Sequence, residues 1–409
     1  YIETRHGSGT YVAFQTRPES TPKSTPEKFT LSTWGKRLPT PFHSSANTNL
    51  PLSFQGGFPD DGHFPHREWT WSLRRAQDAL HHLLLDRPMP PEGLFELRAS
   101  IASHLNRARG LMIDAEDVLI LNGSVQALSL LVHLLINPGD PVVVESPSFL
   151  GIRNAVTAAG GRIIPAPVDQ DGMVIDKWNS KLAIVTPGHQ YPTGCVMQKE
   201  RRLALLDWAA AHNALILEDD FDSDFRRKGR PIEPLKILDT QGRVAYTGTF
   251  SRTLNRSLRV GYLVLPQDLK QPFLQAKQVF ESYTTAPLEQ MAIAIFMQHG
   301  HYERHLRKMA RVYARKYERL IQLLDTHLPN AFTWTHSEVG TYLFGWWNHA
   351  PKKLDHFEAR CKEQGVFWDN LRENFLENPR PAAIFGLAHL DDAKMETAVQ
   401  IMAACYQSE

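Results

Sequence analysis

Short apolar runs alternate with longer amphipathic stretches over residues 117–265. The runs predict strands at Asp117–Leu121, Pro141–Glu145, Arg162–Val168, Leu182–Thr186, Ala214–Glu218, Arg243–Gly248 and Val260–Leu265. Helical periodicity separates most of them, as in Ser124–Ile136, Phe149–Ala159 and Lys199–His212. Continuous apolar strands that alternate with helices are typical of sheets covered on both faces, so this pattern predicts an α/β fold with a mostly parallel central sheet.

The regions on either side of this alternation predict further helices. Ser72–Leu85 and Leu94–Arg109 have helical periodicity, and Gly110 is a plausible stop for the second. The aromatic stretch His63–Trp71 is interpreted as turn-rich. Ala286–Leu324 predicts one long helix, strongly basic around residues 301–319, and the remainder to Glu409 predicts a smaller α+β domain.

The N-terminal residues predict a separate piece of structure. Tyr1–Thr4 and Thr10–Phe14 are β-rich and flank a basic, glycine-rich tip at Arg5–Gly9, which predicts a hairpin over residues 1–14. Because a hairpin of this size does not fold alone, we expect it to close a larger unit; a disordered tail is the alternative. Residues 15–50 are rich in Pro, Ser and Thr and predict a linker, and residues 51–409 predict the globular body.

Composition narrows the class of protein. The 409 residues are 42% hydrophobic and 22% charged, as in globular proteins, and no apolar run approaches the roughly 20 residues of a membrane span. The three cysteines, Cys195, Cys361 and Cys405, form no CxxC pattern, so a reducing cytoplasm is expected. A net charge of +1 gives no global attraction for nucleic acid, and acidic residues interrupt the basic helix, which favours a solvated face over a DNA-binding one.

A series of ordered motifs carries a family resemblance. The motifs are Gly57–Asp60 with Phe64-Pro65, Leu97-Arg98, Arg109-Gly110, Asn122–Ser124, Pro138–Asp140, Glu145–Phe149, Thr186–Gly194, Glu218–Phe225, Gly248–Tyr262 and Gly300–Leu306. From about residue 52 onwards the chain resembles the effector domain of the MocR subfamily of GntR transcription regulators. That domain has the fold-type I aminotransferase architecture of pyridoxal-phosphate (PLP) enzymes and is fused behind a winged helix. The resemblance implies a large domain at about 90–285, a small domain made of the N-terminal segment of the globular body and about 286–409, and a winged-helix end at 1–14.

The resemblance also implies a ligand site. It assigns Ser124, Thr249, Ser251 and Arg259 to a phosphate, and Phe149 to a face of the cofactor ring. Asp219 matches the partner of the pyridine nitrogen, and Phe221 stands where the family commonly carries a Tyr that bonds the phenolic oxygen. Taken alone, Ser124 would be an ordinary helix N-cap and Phe149 a core residue. Glu218, Asp220 and His189 are expected to be structural.

Arg252 is the largest departure from the family pattern, because the resemblance places the Schiff-base lysine at this position. A guanidinium, with a pKa above about 12, offers no neutral amine to attack an aldehyde. Ile384 stands about where the family has an Arg that binds a substrate carboxylate, Arg380 is out of register, and Tyr191 replaces an Asn. The second departure, at Phe221, argues against an introduced Lys-to-Arg change.

Three functions are compatible with these residues. The first is a DNA-binding regulator that acts as a head-to-tail homodimer, contacts operator DNA through its winged helix and senses an anionic effector, with PLP or another phosphate or carboxylate ligand held non-covalently. The second is a PLP-dependent aminotransferase or a PLP-responsive regulator, and the third is a dimerisation scaffold with a dead pocket. Arg252 is expected to pair with Asp219, to pair with an anionic ligand, or to turn to solvent.

Overall fold

The computed structural model describes residues 2–12, 29–39, 51–83, 89–227, 229, 232–388 and 390–407. The chain divides into two compact units, Tyr1–Lys36 and Arg37–Glu409. In the first unit, β1 (Ile2–Arg5) and β2 (Gly9–Val12) form an antiparallel hairpin in which Ile2 faces Val12. The predicted hairpin is therefore confirmed, and its place in a winged helix stays a prediction. Helix α1 (Thr33–Arg37) lies in the predicted linker, most of which falls outside the described residues.

An eight-stranded sheet is the centre of the second unit. Its strands are ordered β4-β11-β10-β9-β8-β5-β6-β7. Their bounds are β4 Val118–Leu121, β5 Pro141–Ser146, β6 Arg162–Asp169, β7 Gly172–Met173, β8 Leu182–Val185, β9 Leu215–Asp220, β10 Val244–Thr249 and β11 Gly261–Val264. Neighbours from β10 to β6 are parallel, whereas β11 is antiparallel to both β10 and β4, and β7 to β6. The seven predicted strands and the mostly parallel sheet are confirmed.

Helices cover both faces of this sheet. The helices of this part of the chain are α2 His66–Leu83, α3 Phe95–Arg109, α4 Ser124–Leu135, α5 Leu150–Ala159, α6 Lys199–Ala211, α7 Leu235–Leu238, α8 Gln267–Phe280 and α9 Pro287–Gln298. Val144 and Leu217 pack in one apolar core with residues of α4, α5 and α8, while their neighbours Val143 and Ile216 pack in another with residues of α6. Because successive side chains of a strand point to opposite faces, continuous apolar strands fill both cores at once.

The smaller α+β region follows α9. It contains α10 His301–His327, β12 Phe332–Thr335, β13 Tyr342–Trp347, α11 Pro351–Glu363, β14 Val366–Phe367, β15 Asp369–Asn370, β16 Ala382–Gly386 and α12 Asp392–Gln407. Strands β12, β13, β16 and β15 form an antiparallel sheet in that order. Strand β14 pairs in parallel with β3 (Leu52–Ser53), so the start of the globular body joins this region.

Two predicted element bounds are wrong. Helix α2 begins at His66, six residues before the predicted Ser72, since Trp69 packs edge-on against Phe296 of α9 and draws the aromatic stretch into the helix. The long helix predicted over Ala286–Leu324 is two helices, because Gly300, with a φ of 68°, ends the first and begins the second. Helix α10 also buries one face, where Lys316 pairs with Asp60 at 2.7 Å, so only part of its basic surface is solvated. Among the described residues, no helix has the length and apolar character needed to cross a membrane.

Candidate functional site

The candidate site lies at the carboxyl ends of β9 and β10, beside the amino end of α4. Asp219 lies opposite Thr247, and Asp220 opposite Gly248, near the ends of these strands. Ligands of open α/β sheets bind outside the carboxyl ends of the strands, and helix amino ends attract anions. The strand order therefore brings together residues that the resemblance had assigned to one ligand.

The predicted phosphate ligands converge through the sheet register. Thr249 faces Gly261 across β10 and β11, and Gly261 faces Leu121 of β4, two residues before Gly123 at the start of α4. The Ser251 amide donates to Thr249 Oγ1 at 3.2 Å, while Ser251 Oγ is buried and has no hydrogen-bond partner. A buried hydroxyl without a partner is costly, which is typical of a group that meets its partner in a ligand.

Arg259 lies directly against the start of α4. A Cβ atom added to Gly123 would stand 3.1 Å from Arg259 Nη2, so the absence of a side chain lets the guanidinium approach. Arg259 has a φ of 50°, a conformation that costs a non-glycine residue on the order of 1–3 kcal/mol and that is concentrated at functional sites. With Ser124 as the first residue of α4, the backbone amides and the guanidinium form a cradle suited to an anion. We call Ser124, Thr249, Ser251 and Arg259 the anion cradle; their role as phosphate ligands stays a prediction.

Asp219 is a half-buried carboxylate without a hydrogen bond on its inner oxygen. Its Oδ1 is shielded from solvent and has no partner. Burial, together with the negative charge of Asp220, raises the pKa of Asp219 to about 7, although the positive charge of Arg252 opposes the shift. Such a carboxylate is held ready for a cationic or hydrogen-bonding partner on a ligand.

Arg252 is half-buried on the turn after β10, and no carboxylate of the described residues lies within 4.0 Å of its guanidinium. The group instead lies against Gly57, where an added Cβ would stand 2.5 Å from Nη1, and its Cζ lies 5.7 Å from the Phe221 ring centroid. Of the three alternatives for Arg252, the ion pair with Asp219 is not formed among the described residues. The guanidinium faces into the site without a direct counter-ion.

Aromatic rings form one wall of the site. Tyr191 meets Phe149 edge-on at 6.0 Å and Phe221 at 5.8 Å. The His189 ring stacks on Phe221 at 5.8 Å and lies 5.1 Å from the Tyr342 ring. Burial, together with the charges of Arg227 and Arg252, lowers the pKa of His189 to about 3, so its imidazole is neutral. His189 packs within the wall, where both of its buried ring nitrogens lack a hydrogen-bond partner, and its structural role stays a prediction.

Glu218 and Asp220 are held by the protein itself. Glu218 accepts the amides of Leu235 and Lys236 at 2.7 and 2.9 Å, which fixes the start of α7. Asp220 Oδ2 accepts the Tyr246 hydroxyl at 2.5 Å and lies 3.4 Å from Arg109 Nη2. These contacts agree with the structural roles expected from the sequence.

Two further carboxylates, which were not predicted from the sequence, have pKa values on which the positive charge of Arg252 has a lowering effect. Asp222 accepts the Thr341 amide at 2.9 Å and its hydroxyl at 3.2 Å, and Asp369 accepts the Gly56 amide at 2.7 Å. Burial raises the pKa of Asp222 to about 7 and that of Asp369 to about 6, and Arg252 opposes both shifts. Asp222 lies in the quoted motif at 218–225, but nothing near Asp369 in the sequence links it to Arg252.

The positions expected near a carboxylate clamp contain no cation directed into the site. Ile384 is buried on β16, and a Cβ added to Gly56 would lie 3.1 Å from its Cδ1. Arg380 stacks over Trp346 at 4.1 Å and lines a different cavity of about 800 Å³ with Glu338 and Arg226. Arg252 and Arg256 both act by charge on Asp369, whose carboxylate contacts Gly56 in this part of the site.

These residues suit some parts of a PLP-like group and not others. The unpaired Ser251 Oγ and the cradle suit a phosphate, the unpaired Asp219 Oδ1 suits a ring nitrogen, and Phe149 and Phe221 offer aromatic faces. Arg252 offers no amine for a covalent bond to an aldehyde, and Phe221 offers no hydroxyl. The site thus matches the non-covalent contacts of such a ligand.

Comparison with known proteins gives the family. The Aminotransferase class I and II family matches residues 59–400. The probable rhizopine catabolism regulatory protein MocR of Rhizobium meliloti is 32% identical over 99% of this chain and 83% of its own length. The uncharacterized HTH-type transcriptional regulator YdeL of Bacillus subtilis is 33% identical to this chain. The match covers 71% of this chain and 64% of that regulator.

Solved structures confirm the fold. LysN, an alpha-aminoadipate aminotransferase from Thermus thermophilus complexed with N-(5'-phosphopyridoxyl)-L-leucine, superposes with a TM-score of 0.82. The match covers 92% of this chain and 97% of that one at 24% sequence identity. At this identity the likeness establishes the fold-type I architecture and carries no conclusion about activity.

Proposed function

Because this chain belongs to the MocR subfamily of GntR transcription regulators, which carry an aminotransferase class I and II domain, we propose that it senses a small anionic effector without covalent chemistry. Residues 51–409 are the effector-binding and dimerisation part. They have no transaminase activity, since the resemblance places the essential lysine at Arg252. The protein acts in transcription regulation through operator DNA.

One observation carries the proposal, namely that an anion cradle stands next to a guanidinium in place of an amine. Ser251 Oγ and Asp219 Oδ1 are both buried without a hydrogen-bond partner, and Arg252 has no carboxylate within 4.0 Å among the described residues. Buried polar groups are nearly always paired in folded proteins. Unpaired groups of both signs around one site favour a ligand with an anionic part and a part that pairs with Asp219.

The residues have separate tasks in binding. The amino end of α4 at Ser124, with Thr249, Ser251 and Arg259, would hold a phosphate. Phe149 and Phe221 would bound an aromatic ring, and Asp219 would pair with a ring nitrogen. PLP supplies an electron sink when it is bound to such enzymes. In this chain Arg252 provides charge and hydrogen-bond donors only, so PLP or another phosphate or carboxylate ligand would remain non-covalent.

The remaining parts of the chain connect the sensor to DNA. Residues 1–14 would be the wing end of a GntR-type winged helix, and residues 15–50 the linker to the effector domain. The large domain of that part would span about 90–285, and the small domain would combine its N-terminal segment with about 286–409. A head-to-tail homodimer would place two DNA readers on paired half-sites. The effector would act by binding one arrangement of the dimer better than another.

The alternative is a PLP-dependent aminotransferase or a PLP-responsive regulator in which PLP is bound covalently. It requires a lysine that reaches the ring. The two buried lysines of the described residues have their own partners, since Lys277 pairs with Glu281 at 3.2 Å and Lys316 with Asp60 at 2.7 Å. A different lysine would need a rearranged site.

Calorimetric titration with pyridoxine 5'-phosphate, pyridoxine and inorganic phosphate tests the proposal, since none of the three has an aldehyde. We expect the phosphorylated ring to bind at least tenfold more tightly than pyridoxine. Arg259→Gln and Ser251→Ala should each weaken it roughly ten- to hundredfold, because charged and buried hydrogen bonds are lost. At a hundred times Kd the ligand should stabilise the fold by about 2.7 kcal/mol.

The exposed Arg162, at the start of β6 and three strands away from β9, provides a matched control. Arg162→Gln should bind like the parent chain. If none of the three compounds binds, the anion sensor is wrong and the dimerisation scaffold with a dead pocket is favoured.

A further inference from the structure

Three arginines follow one another on the segment between β10 and β11, and they face two different surfaces. Arg259 lies against Gly123 at the start of α4. Arg252 lies against Gly57, and Arg256 places its Cζ 4.4 Å from the Phe58 ring centroid. Two guanidinium groups therefore border the loop at residues 56–58, and the third belongs to the anion cradle.

The loop at residues 56–58 lies close against the guanidinium of Arg252. Gly57 has a φ of 91°, a conformation that favours glycine, and an added Cβ would lie 3.2 Å from Arg252 Cζ and 3.3 Å from Nη2. A side chain at residue 57 would therefore displace the charge from its position. The preceding amide, that of Gly56, is fixed by Asp369 Oδ2 at 2.7 Å.

The two guanidinium groups at this loop share one nearby carboxylate, and the charge of Arg252 also acts on Asp219 and Asp222. Asp369 is the carboxylate whose pKa both Arg252 and Arg256 lower against the effect of burial. None of the described carboxylates lies within 4.0 Å of either guanidinium. Burial and then the charges of Arg252 and Arg259 lower the pKa of Arg256, so the three cations are close enough to repel one another.

We propose that Arg252 and Arg256 form a second anion subsite beside the anion cradle, and that the effector carries a carboxylate there in addition to its phosphate. The proposal rests on the proposed function, because it specifies a second charged group on the ligand of the same site. A planar guanidinium matches a carboxylate with two parallel hydrogen bonds. Ile384, where the resemblance expected a carboxylate-binding arginine, leaves that task to the segment after β10.

Three ligands that differ in one substituent test the subsite. Pyridoxine 5'-phosphate carries a hydroxymethyl group at ring position 4, pyridoxamine 5'-phosphate an aminomethyl cation, and 4-pyridoxic acid 5'-phosphate a carboxylate. All three keep the phosphate and the ring nitrogen, and none contains an aldehyde. Calorimetric titration should give the carboxylate roughly ten- to hundredfold tighter binding than the alcohol, as one charge-assisted pair provides, and the amine the weakest binding.

Substitutions assign the preference to its residues. In Arg252→Gln and in Arg256→Gln the ratio of carboxylate to alcohol affinity should fall to within threefold of one. Arg259→Gln should instead weaken all three ligands by a similar factor and keep the ratio. Arg162→Gln, far from the site, should change neither quantity, and circular dichroism should confirm that each variant is folded.

The outcomes separate the two proposals. Binding of none of the three ligands would overturn the anion sensor itself. Equal binding of all three, with a ratio unchanged in Arg252→Gln, would leave the phosphate cradle in place and overturn the second subsite. A ratio lost in Arg259→Gln and kept in Arg252→Gln would also overturn it, because the carboxylate would then be read by the cradle.

Discussion

Asp219 and Asp220 are neighbours at the end of β9, yet their carboxylates have opposite surroundings. Asp220 lies 3.4 Å from Arg109 and accepts the Tyr246 hydroxyl, within a network that continues to Asp224 and His104. Both residues have a shielded Oδ1 without a hydrogen-bond partner, but Asp219, unlike Asp220, makes no ion pair among the described residues, and the charge of Arg252 acts on it only from a distance. Alternation along the strand sends one side chain into the interior network and the other into the candidate site.

The difference separates a structural network from the candidate site. Arg109 is buried and has two carboxylate partners, which raise the pKa of its guanidinium against the effect of burial. Arg252 is less buried and has three carboxylates in its neighbourhood, none of them in contact. Charges that the protein pairs internally hold the fold together, whereas charges left unpaired at the end of the sheet are free to pair with a ligand.

The largest expected effect comes from breaking the paired region. Arg109→Met would leave Asp220 and Asp224 buried without their cation, which we expect to lower the free energy of unfolding by about 3–5 kcal/mol. Denaturant unfolding followed by circular dichroism measures this loss. Arg107→Met is the control, since its exposed pair with Glu303 at 3.1 Å should contribute under about 1 kcal/mol. Equal losses in both variants would contradict the structural role of the network.

The same substitution at the two neighbours should act in opposite directions. The pKa of Asp219 is raised to about 7 in the fold, so its charge lowers stability as the pH rises from its unfolded pKa through 7. At pH 8, Asp219→Asn should therefore raise the free energy of unfolding by about 1 kcal/mol, and Asp220→Asn should lower it by about 1–3 kcal/mol. Asp219→Asn should also weaken pyridoxine 5'-phosphate roughly tenfold.

Melting curves at pH 5 and pH 8 provide the measurement, since the gain in Asp219→Asn should shrink at the lower pH. Destabilisation by Asp219→Asn at pH 8 would show that this carboxylate is part of the internal network. The comparison between the two neighbours would then no longer hold.

A smaller loss of stability should appear with rising pH at His104, at the edge of the network around Arg109. Asp224 and Glu303, at 3.9 and 3.8 Å from its ring nitrogens, raise the pKa of His104 to about 9 despite burial. A raised histidine pKa stabilises the fold below the unfolded pKa of about 6.5, and that stability is lost as the pH rises through 9. Because both distances are long, we expect a loss of about 1 kcal/mol between pH 7 and pH 9.5. His104→Gln should show a flatter melting profile over this range, and parallel profiles would refute the assignment.

The hydrophobic pattern was sufficient for most of the fold. The predicted bounds of the strands lie within a few residues of the observed ones, because strands buried on both faces have continuous runs of apolar residues. The start of α2 was missed because the contact between Trp69 and Phe296 stabilises the first turns of this helix. Phe296 lies far from Trp69 in the sequence, so the sequence pattern does not reveal the contact. The break at Gly300 was missed because amphipathic periodicity continues on both sides of it.

The residues of the candidate site also divide into those that local motifs predicted and those that only long-range contacts bring together. Motifs near one another in the sequence, such as Thr249, Ser251 and Arg259, were predicted from the resemblance. Asp369 and Gly57 could not be assigned to Arg252 from the sequence, because their proximity depends on how the segment at 56–58 and β15 meet the turn after β10. Local sequence contains no signal for such long-range contacts.

Mass spectrometry with PLP tests the central claim most directly. The chain would be measured in native conditions, and again in denaturing conditions after borohydride treatment. The account predicts a native complex whose added mass disappears on denaturation, and whose population falls in Arg259→Gln and not in Arg162→Gln. A pyridoxyl mass that stays bound after borohydride would contradict it, because a lysine would then form the covalent bond that Arg252 cannot.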